Sequence, residues 1–121
     1  MINKKTVVLG ASTNPERYSY LAVNKLRNKG HDVIAIGNHT GKVGDVDIVS
    51  SPVPADHVNT VTMYLNPLHQ PSYYDYIFSL HPERIIFNPG AENEELASLA
   101  KNKGILTQEA CTLVLLSTGQ Y

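Results

Sequence analysis

Three short apolar runs constrain this chain more than anything else in it: Val7-Val8-Leu9, Val33-Ile34-Ala35-Ile36 and Ile85-Ile86-Phe87. None alternates with polar residues. A strand with one wet face would alternate, so strands of this kind must be buried on both faces. Stretches of helical spacing, punctuated by glycine and proline, lie between them. Buried strands alternating with helices specify a parallel sheet covered on both sides, an α/β doubly wound domain.

In chain order, Thr6–Gly10 reads as the first strand. A helix follows in which Tyr18, Leu21, Ala22 and Leu26 recur on one face, with Pro15 pre-set for its first turn and Lys29-Gly30 closing it. His31–Gly37 is a second strand, which completes a βαβ unit. The glycine-rich segment Asn38–Gly44 is expected to be irregular, Asp45–Val49 a short third strand, and Ser50–Pro54 a loop. Most of His57–Leu65 reads as a strand ending at Asn66-Pro67. Tyr73–Leu80 reads as a helix opening near Gln70-Pro71-Ser72. Arg84–Phe87 is a compact strand closed by Asn88-Pro89-Gly90. Ala91–Lys103 is a helix with Leu96, Leu99 and Ala100 on its inner face, Ile105–Thr107 a last strand, and Ala110–Ser117 a closing helix. The expected architecture is one Rossmann-like domain over residues 1–121 with a mostly parallel sheet of five or six strands.

Composition narrows the function classes. The formal net charge of −1 offers no basic field for nucleic acid. One cysteine, Cys111, excludes an internal disulfide framework and suits a reducing compartment. No apolar stretch approaches the roughly 20 residues needed to cross a bilayer. A cytoplasmic protein without a membrane or nucleic-acid partner is expected.

Ligands of such sheets sit beyond the carboxyl ends of the strands, where the strand order reverses. Four segments fall there: Gly10-Ala11-Ser12, Gly37-Asn38-His39, Asn66-Pro67 and Asn88-Pro89-Gly90-Ala91. Turn chemistry explains any one of them; together they describe a binding rim of small residues and neutral hydrogen-bonding groups. The first turn, VVLGASTNPERYSY, has the strand–turn–helix grammar that receives a phosphate at a helix N-terminus. Arg17 and Ser19 are placed either to reach a pyrophosphate or to solvate and cap the helix. The dinucleotide pattern G-x-G-x-x-G is not met, because Gly10 stands alone. The second strand ends in Gly37, Asn38 and His39, without the carboxylate that holds the ribose of NAD. Lys42 follows, as a partner for a ribose phosphate or as a solvated loop lysine. The five histidines lack ligand spacing, so no metal site is expected. Glu92, Glu94 and Glu95 read as first-turn acids that complement a helix dipole. Cys111 and the apolar run Leu113–Leu116 read first as packing, with a reactive thiol and an interface to a partner protein or second copy as the alternatives.

These residues resemble a known family. VVLGASTNPERYSYLAVNKLRNKGHDVIAIG, together with NPGAENEELASLAKNKGI and the cysteine-bearing end, is similar to the small stand-alone CoA-binding proteins. Their fold is like that of the N-terminal CoA-binding domain of the succinyl-CoA synthetase α subunit. The resemblance implies coenzyme A as the ligand. Gly10, Ala11, Ser12 and Asn14 would form the turn at its pyrophosphate, with Arg17 and Ser19 beside it. His39-Thr40-Gly41-Lys42 would lie at the adenosine end, with Lys42 at the 3′-phosphate, and Asn66-Pro67 and Asn88-Pro89-Gly90 along the cofactor. The phosphohistidine of the synthetase belongs to a second domain that this sequence lacks, so the resemblance implies binding of CoA or acyl-CoA without ligase chemistry. The competing expectation is an NAD(P)-binding regulatory or oxidoreductase domain.

Overall fold

A computed structural model describes residues 2–121. The chain forms a seven-stranded sheet with four helices. Its elements run β1 (Thr6–Leu9), α1 (Tyr18–Asn28), β2 (Val33–Ile36), β3 (Gly41–Val43), β4 (Val46–Val49), β5 (Thr60–Met63), α2 (Tyr74–Ser79), β6 (Arg84–Phe87), α3 (Glu94–Asn102), β7 (Leu106–Glu109) and α4 (Thr112–Ser117). Two 3₁₀ turns, Pro67–His69 and Pro71–Tyr73, precede α2.

The strand order is β3-β4-β2-β1-β5-β6-β7. Every pairing is parallel except that of β3 with β4. The sheet is mostly parallel as expected, but it has seven strands where five or six were expected, because β3 adds an antiparallel edge strand. From β1 the chain steps outward through β2 to β4, then returns to the other side of β1 for β5, β6 and β7. The order reverses between β1 and β5.

Strand residues point alternately to the two faces, which sorts the core into two layers. Val7 and Leu9 of β1 join Met63, Ile85 and Phe87 beneath α2 and α3, which contribute Ile77, Leu96 and Ala100. Val8 points the other way, with Ala35, Val46 and Ile48, against Val23 and Leu26 of α1 and Leu116 of α4. The Leu115–Leu116 part of the C-terminal apolar run is thus core, whereas Val114 is exposed. No described helix is long and apolar enough to cross a membrane.

Three local expectations are corrected. The buried face of α1 is Ser19, Ala22, Val23 and Leu26, while Tyr18 and Leu21 face outward. Ala22 and Leu26 are buried as expected, while Ser19 and Val23 take the inward places assigned to Tyr18 and Leu21. Pro15 is not in the helix. Ser12 Oγ accepts the N–H of Asn14 and Asn14 Oδ1 accepts that of Glu16, each at 3.0 Å. Side-chain acceptors of this kind compete with helix formation, and Arg17, with extended backbone, becomes the N-cap. Finally, Asn38–Gly44 is not wholly irregular. Gly41–Val43 pairs with Val46–Val49 around the two-residue turn Gly44-Asp45, with Gly44 at φ +59°. Val43, Val46 and Ile48 point inward while Lys42 and Asp47 face solvent, a hairpin alternation.

Candidate functional site

The carboxyl ends of β1, β2 and β5 meet where the strand order reverses, and a cleft of about 350 Å³ opens there. Its base is the turn after β1. Gly10 has φ +94°, and a Cβ on it would stand 3.0 Å from the backbone of Tyr64 and Leu65, so this turn lies directly against the end of β5. On the other side a Cβ on Gly37 would stand 2.1 Å from the Ala11 carbonyl oxygen. Gly37 therefore lets the end of β2 pack on the turn; it is buried and does not line the cleft. Gly10, Ala11 and Ser12 do line it, with Arg17.

The donors of the first turn are divided. The N–H groups of Gly10 and Ala11 both point inward to the Ile36 carbonyl, each at 2.9 Å. They hold the turn to β2 and are not free for a ligand. The N–H groups of Ser12 and Thr13 have no intramolecular acceptor among the described residues. Arg17 is exposed and forms no salt bridge among them. Asn14 is exposed, is absent from the cleft wall and serves the local turn.

Asn38 and His39, following β2, form one wall. The other wall follows β5 and holds Tyr64, Leu65, Asn66 and His69. Asn66 caps the 3₁₀ turn Pro67–His69, its Oδ1 accepting the N–H of Leu68 at 3.0 Å. Pro67 opens that turn, and the turn carries His69 back to the cleft. An adjoining depression of about 260 Å³ shares Gly10, Ser12, Arg17 and Tyr64 with the cleft and adds Glu16, Tyr18, Ser19 and Pro89. Ser19 and Pro89, both expected at the site, lie here. The Tyr64 ring borders both hollows while its hydroxyl is buried without a hydrogen-bond partner. Burial pushes that phenol far above its ordinary range, so it stays neutral.

Besides Gly37 and Asn14, three more expected site residues have other tasks. Asn88 is buried: its Nδ2 donates to Thr62 Oγ1 at 2.7 Å and to the Met63 carbonyl at 2.9 Å, and its Oδ1 accepts the N–H of Thr112 at 2.9 Å. It joins β5, β6 and α4. Gly90 has φ +93° and donates its N–H to Glu92 Oε1 at 2.8 Å, away from the cleft. Lys42 stands on the exposed edge strand, 3.2 Å from Asp47 Oδ1, and does not line the cleft. Thr13, Tyr64 and His69 went unforeseen. His69 was legible, because an Asn-Pro pair opening a 3₁₀ turn brings the third residue back over its start. Among the described residues no group of three or more metal-ligating side chains occurs.

Comparison with known proteins bears on this geometry. Residues 4–117 match the model of the CoA binding domain family. No curated protein gives a significant match. A crystal structure described only as that of an uncharacterized protein is 45% identical, with a TM-score of 0.96 over 100% of both chains. A hypothetical protein from Pyrococcus horikoshii OT3 shares the fold at 20% identity, with a TM-score of 0.85 over 96% of this chain and 83% of that one. A Thermus thermophilus structure does so at 18% identity and a TM-score of 0.82, over 98% and 91% of the two chains. With its family model spanning nearly the whole sequence and its cleft at the point of strand reversal, this chain belongs to the CoA binding domain family.

Proposed function

We propose that this protein binds coenzyme A or an acyl-CoA in the cleft between the ends of β1, β2 and β5, as a carrier or sensor of the cofactor without chemistry of its own. The observation that carries this reading is the division of donors in the first turn. Two amides fasten the turn to the sheet, leaving those of Ser12 and Thr13, with the Arg17 guanidinium, facing a cleft without a carboxylate. Unpaired amides beside a helix N-terminus suit a pyrophosphate, and Arg17 can bind one through two parallel hydrogen bonds. The walls formed by Asn38 and His39, and by Asn66 and His69, flank this turn on its two sides with hydrogen-bonding side chains. Lys42 is left outside the assignment because Asp47 engages its amine.

Calorimetric titration of the purified protein with CoA, dephospho-CoA and NADP tests this. Binding of CoA in preference to NADP is expected. Equal affinity for CoA and dephospho-CoA is the result expected if Lys42 stays with Asp47. Binding of NADP with none of CoA would overturn the reading in favour of a nicotinamide-nucleotide domain.

A further inference from the structure

Each of the three strand ends around the cleft contributes one side chain able to carry positive charge. Arg17 follows β1, His39 follows β2, and His69 follows β5. Since β1 lies between β2 and β5 in the sheet, the two histidines flank the first turn from opposite sides. Both are exposed, and neither ring makes a hydrogen bond among the described residues. No carboxylate lines the cleft. The charged and titratable groups around the rings are few. They are Arg17 on the first turn, the neutral Tyr64 phenol after β5, Glu16 and Tyr18 in the adjoining depression, and the Lys42–Asp47 pair on the hairpin beyond His39. A bare cleft of this design holds one formal positive charge when the histidines are neutral and three when they are protonated.

We propose that the cleft grips its anionic nucleotide in a proton-dependent way, with His39 and His69 closing as cations on either side of the pyrophosphate seated at Ser12, Thr13 and Arg17. The proposal rests on the cleft being the nucleotide site. Histidine changes charge between about pH 5 and pH 8, and no other unperturbed side chain does. An exposed ion pair contributes modestly to binding. Two such contacts acting together then tighten binding on the order of tenfold.

Dephospho-CoA is the appropriate probe, because the 3′-phosphate of CoA itself takes up a proton near pH 6, as phosphate monoesters do at about that value. CoA and dephospho-CoA are first titrated calorimetrically at about pH 8, then dephospho-CoA down to about pH 5.5, at low salt and with circular dichroism confirming the fold. The wild-type Kd is expected to fall on the order of tenfold across this range. A double variant, His39→Asn with His69→Asn, is expected to show a flat profile across the same range. A flat wild-type profile, or a slope that survives in the double variant, overturns the proposal while leaving the binding function standing. Absence of binding by either nucleotide at every pH removes the nucleotide site itself, and the proton dependence with it.

Discussion

The side-chain oxygen of Asn88 accepts the backbone N–H of Thr112 at 2.9 Å, the first N–H of α4. The same side chain donates to Thr62 Oγ1 and to the Met63 carbonyl, and Thr62 in turn contacts Thr112 Oγ1 at 2.8 Å. A single amide thus fixes where the last helix leaves the sheet. Truncation by Asn88→Ala strands the buried N–H of Thr112, at a cost of about 1–3 kcal/mol, and takes one donor each from Thr62 Oγ1 and the Met63 carbonyl. A loss of about 3 kcal/mol in urea unfolding is expected. Asn88→Asp, which keeps the acceptor for Thr112, should cost less than alanine only where the carboxyl is protonated.

Two glycine substitutions separate crowding from backbone strain. Gly37→Ala drives a methyl into the Ala11 carbonyl, 2.1 Å away, and the neighbour is backbone that cannot swing aside. It is expected to cost about 3 kcal/mol or more and to weaken CoA binding, because the first turn must shift. Gly90→Ala meets no atom within 4 Å and suffers only from φ +93°, which predicts a loss of about 1–2 kcal/mol with ligand affinity kept. Equal destabilisation of the two variants in chemical denaturation would contradict this assignment.

His81 follows the last turn of α2 with φ +48°, the left-handed position that glycine most often fills. His81→Gly is expected to raise stability by about 0.5–1 kcal/mol, since relief of strain outweighs the larger conformational freedom of the unfolded chain. Differential scanning calorimetry would show this as an increase in Tm of a few degrees, roughly 4–8 °C per kcal/mol in domains of this size or slightly smaller.

His31 is buried against Tyr121, and its Nδ1 accepts the N–H of Lys4 at 2.9 Å. Burial first, then the charges of Lys4 and Arg84, lower its pKa below the ordinary histidine value. The folded state therefore binds fewer protons than the unfolded one as pH falls. This contribution to stability is complete above the unfolded pKa of about 6.5 and is lost as pH drops from there through the lowered folded value. Thermal melts should show Tm declining below about pH 6.5. The decline should be shallower in His31→Asn.

Arg17 stands exposed at the N-cap of α1 without a salt-bridge partner among the described residues. Arg17→Ala should leave the unfolding midpoint within about 0.5 kcal/mol of wild type. Removing a charge-assisted contact to the pyrophosphate should weaken CoA binding on the order of tenfold. Arg17→Lys should recover part of this, since an ammonium supplies charge without the planar fork.

Much of the fold could be read from residues 7–9, 33–36 and 85–87, because uninterrupted apolar runs admit few arrangements other than a doubly covered parallel sheet. The hairpin β3–β4 escaped attention because Gly41 and Gly44 look like loop residues, although Val43, Val46 and Ile48 mark the inner face of two short strands. Half of the inner face of α1 followed from its spacing, at Ala22 and Leu26, but size did not settle the other half, since Ser19 is buried while Tyr18 and Leu21 are exposed. At the site, residues following β1, β2 and β5 line one cleft, while the segment after β6 brings only Pro89 to the adjoining depression, and individual duties did not follow from residue type. Asn66 and Asn88 both follow strands and both precede Pro, yet one caps an exposed turn and the other is buried with every polar atom engaged. What separates them is the neighbouring helix: α4 presents Thr112 to Asn88, across 24 residues of chain. Such a contact leaves no local mark.

The contact between Gly37 and the Ala11 carbonyl makes the cleft floor a property of the sheet. With Gly10 also pressed against the chain that follows β5, the turn proposed to receive the ligand has no independent freedom to widen for a bulkier guest. Any change of guest must be absorbed at the rim, where Asn38, His39, Leu68 and His69 are exposed. Related chains adapted to different acyl groups are then expected to vary one residue at a time around that rim. Changes in the floor should arise only in compensating pairs.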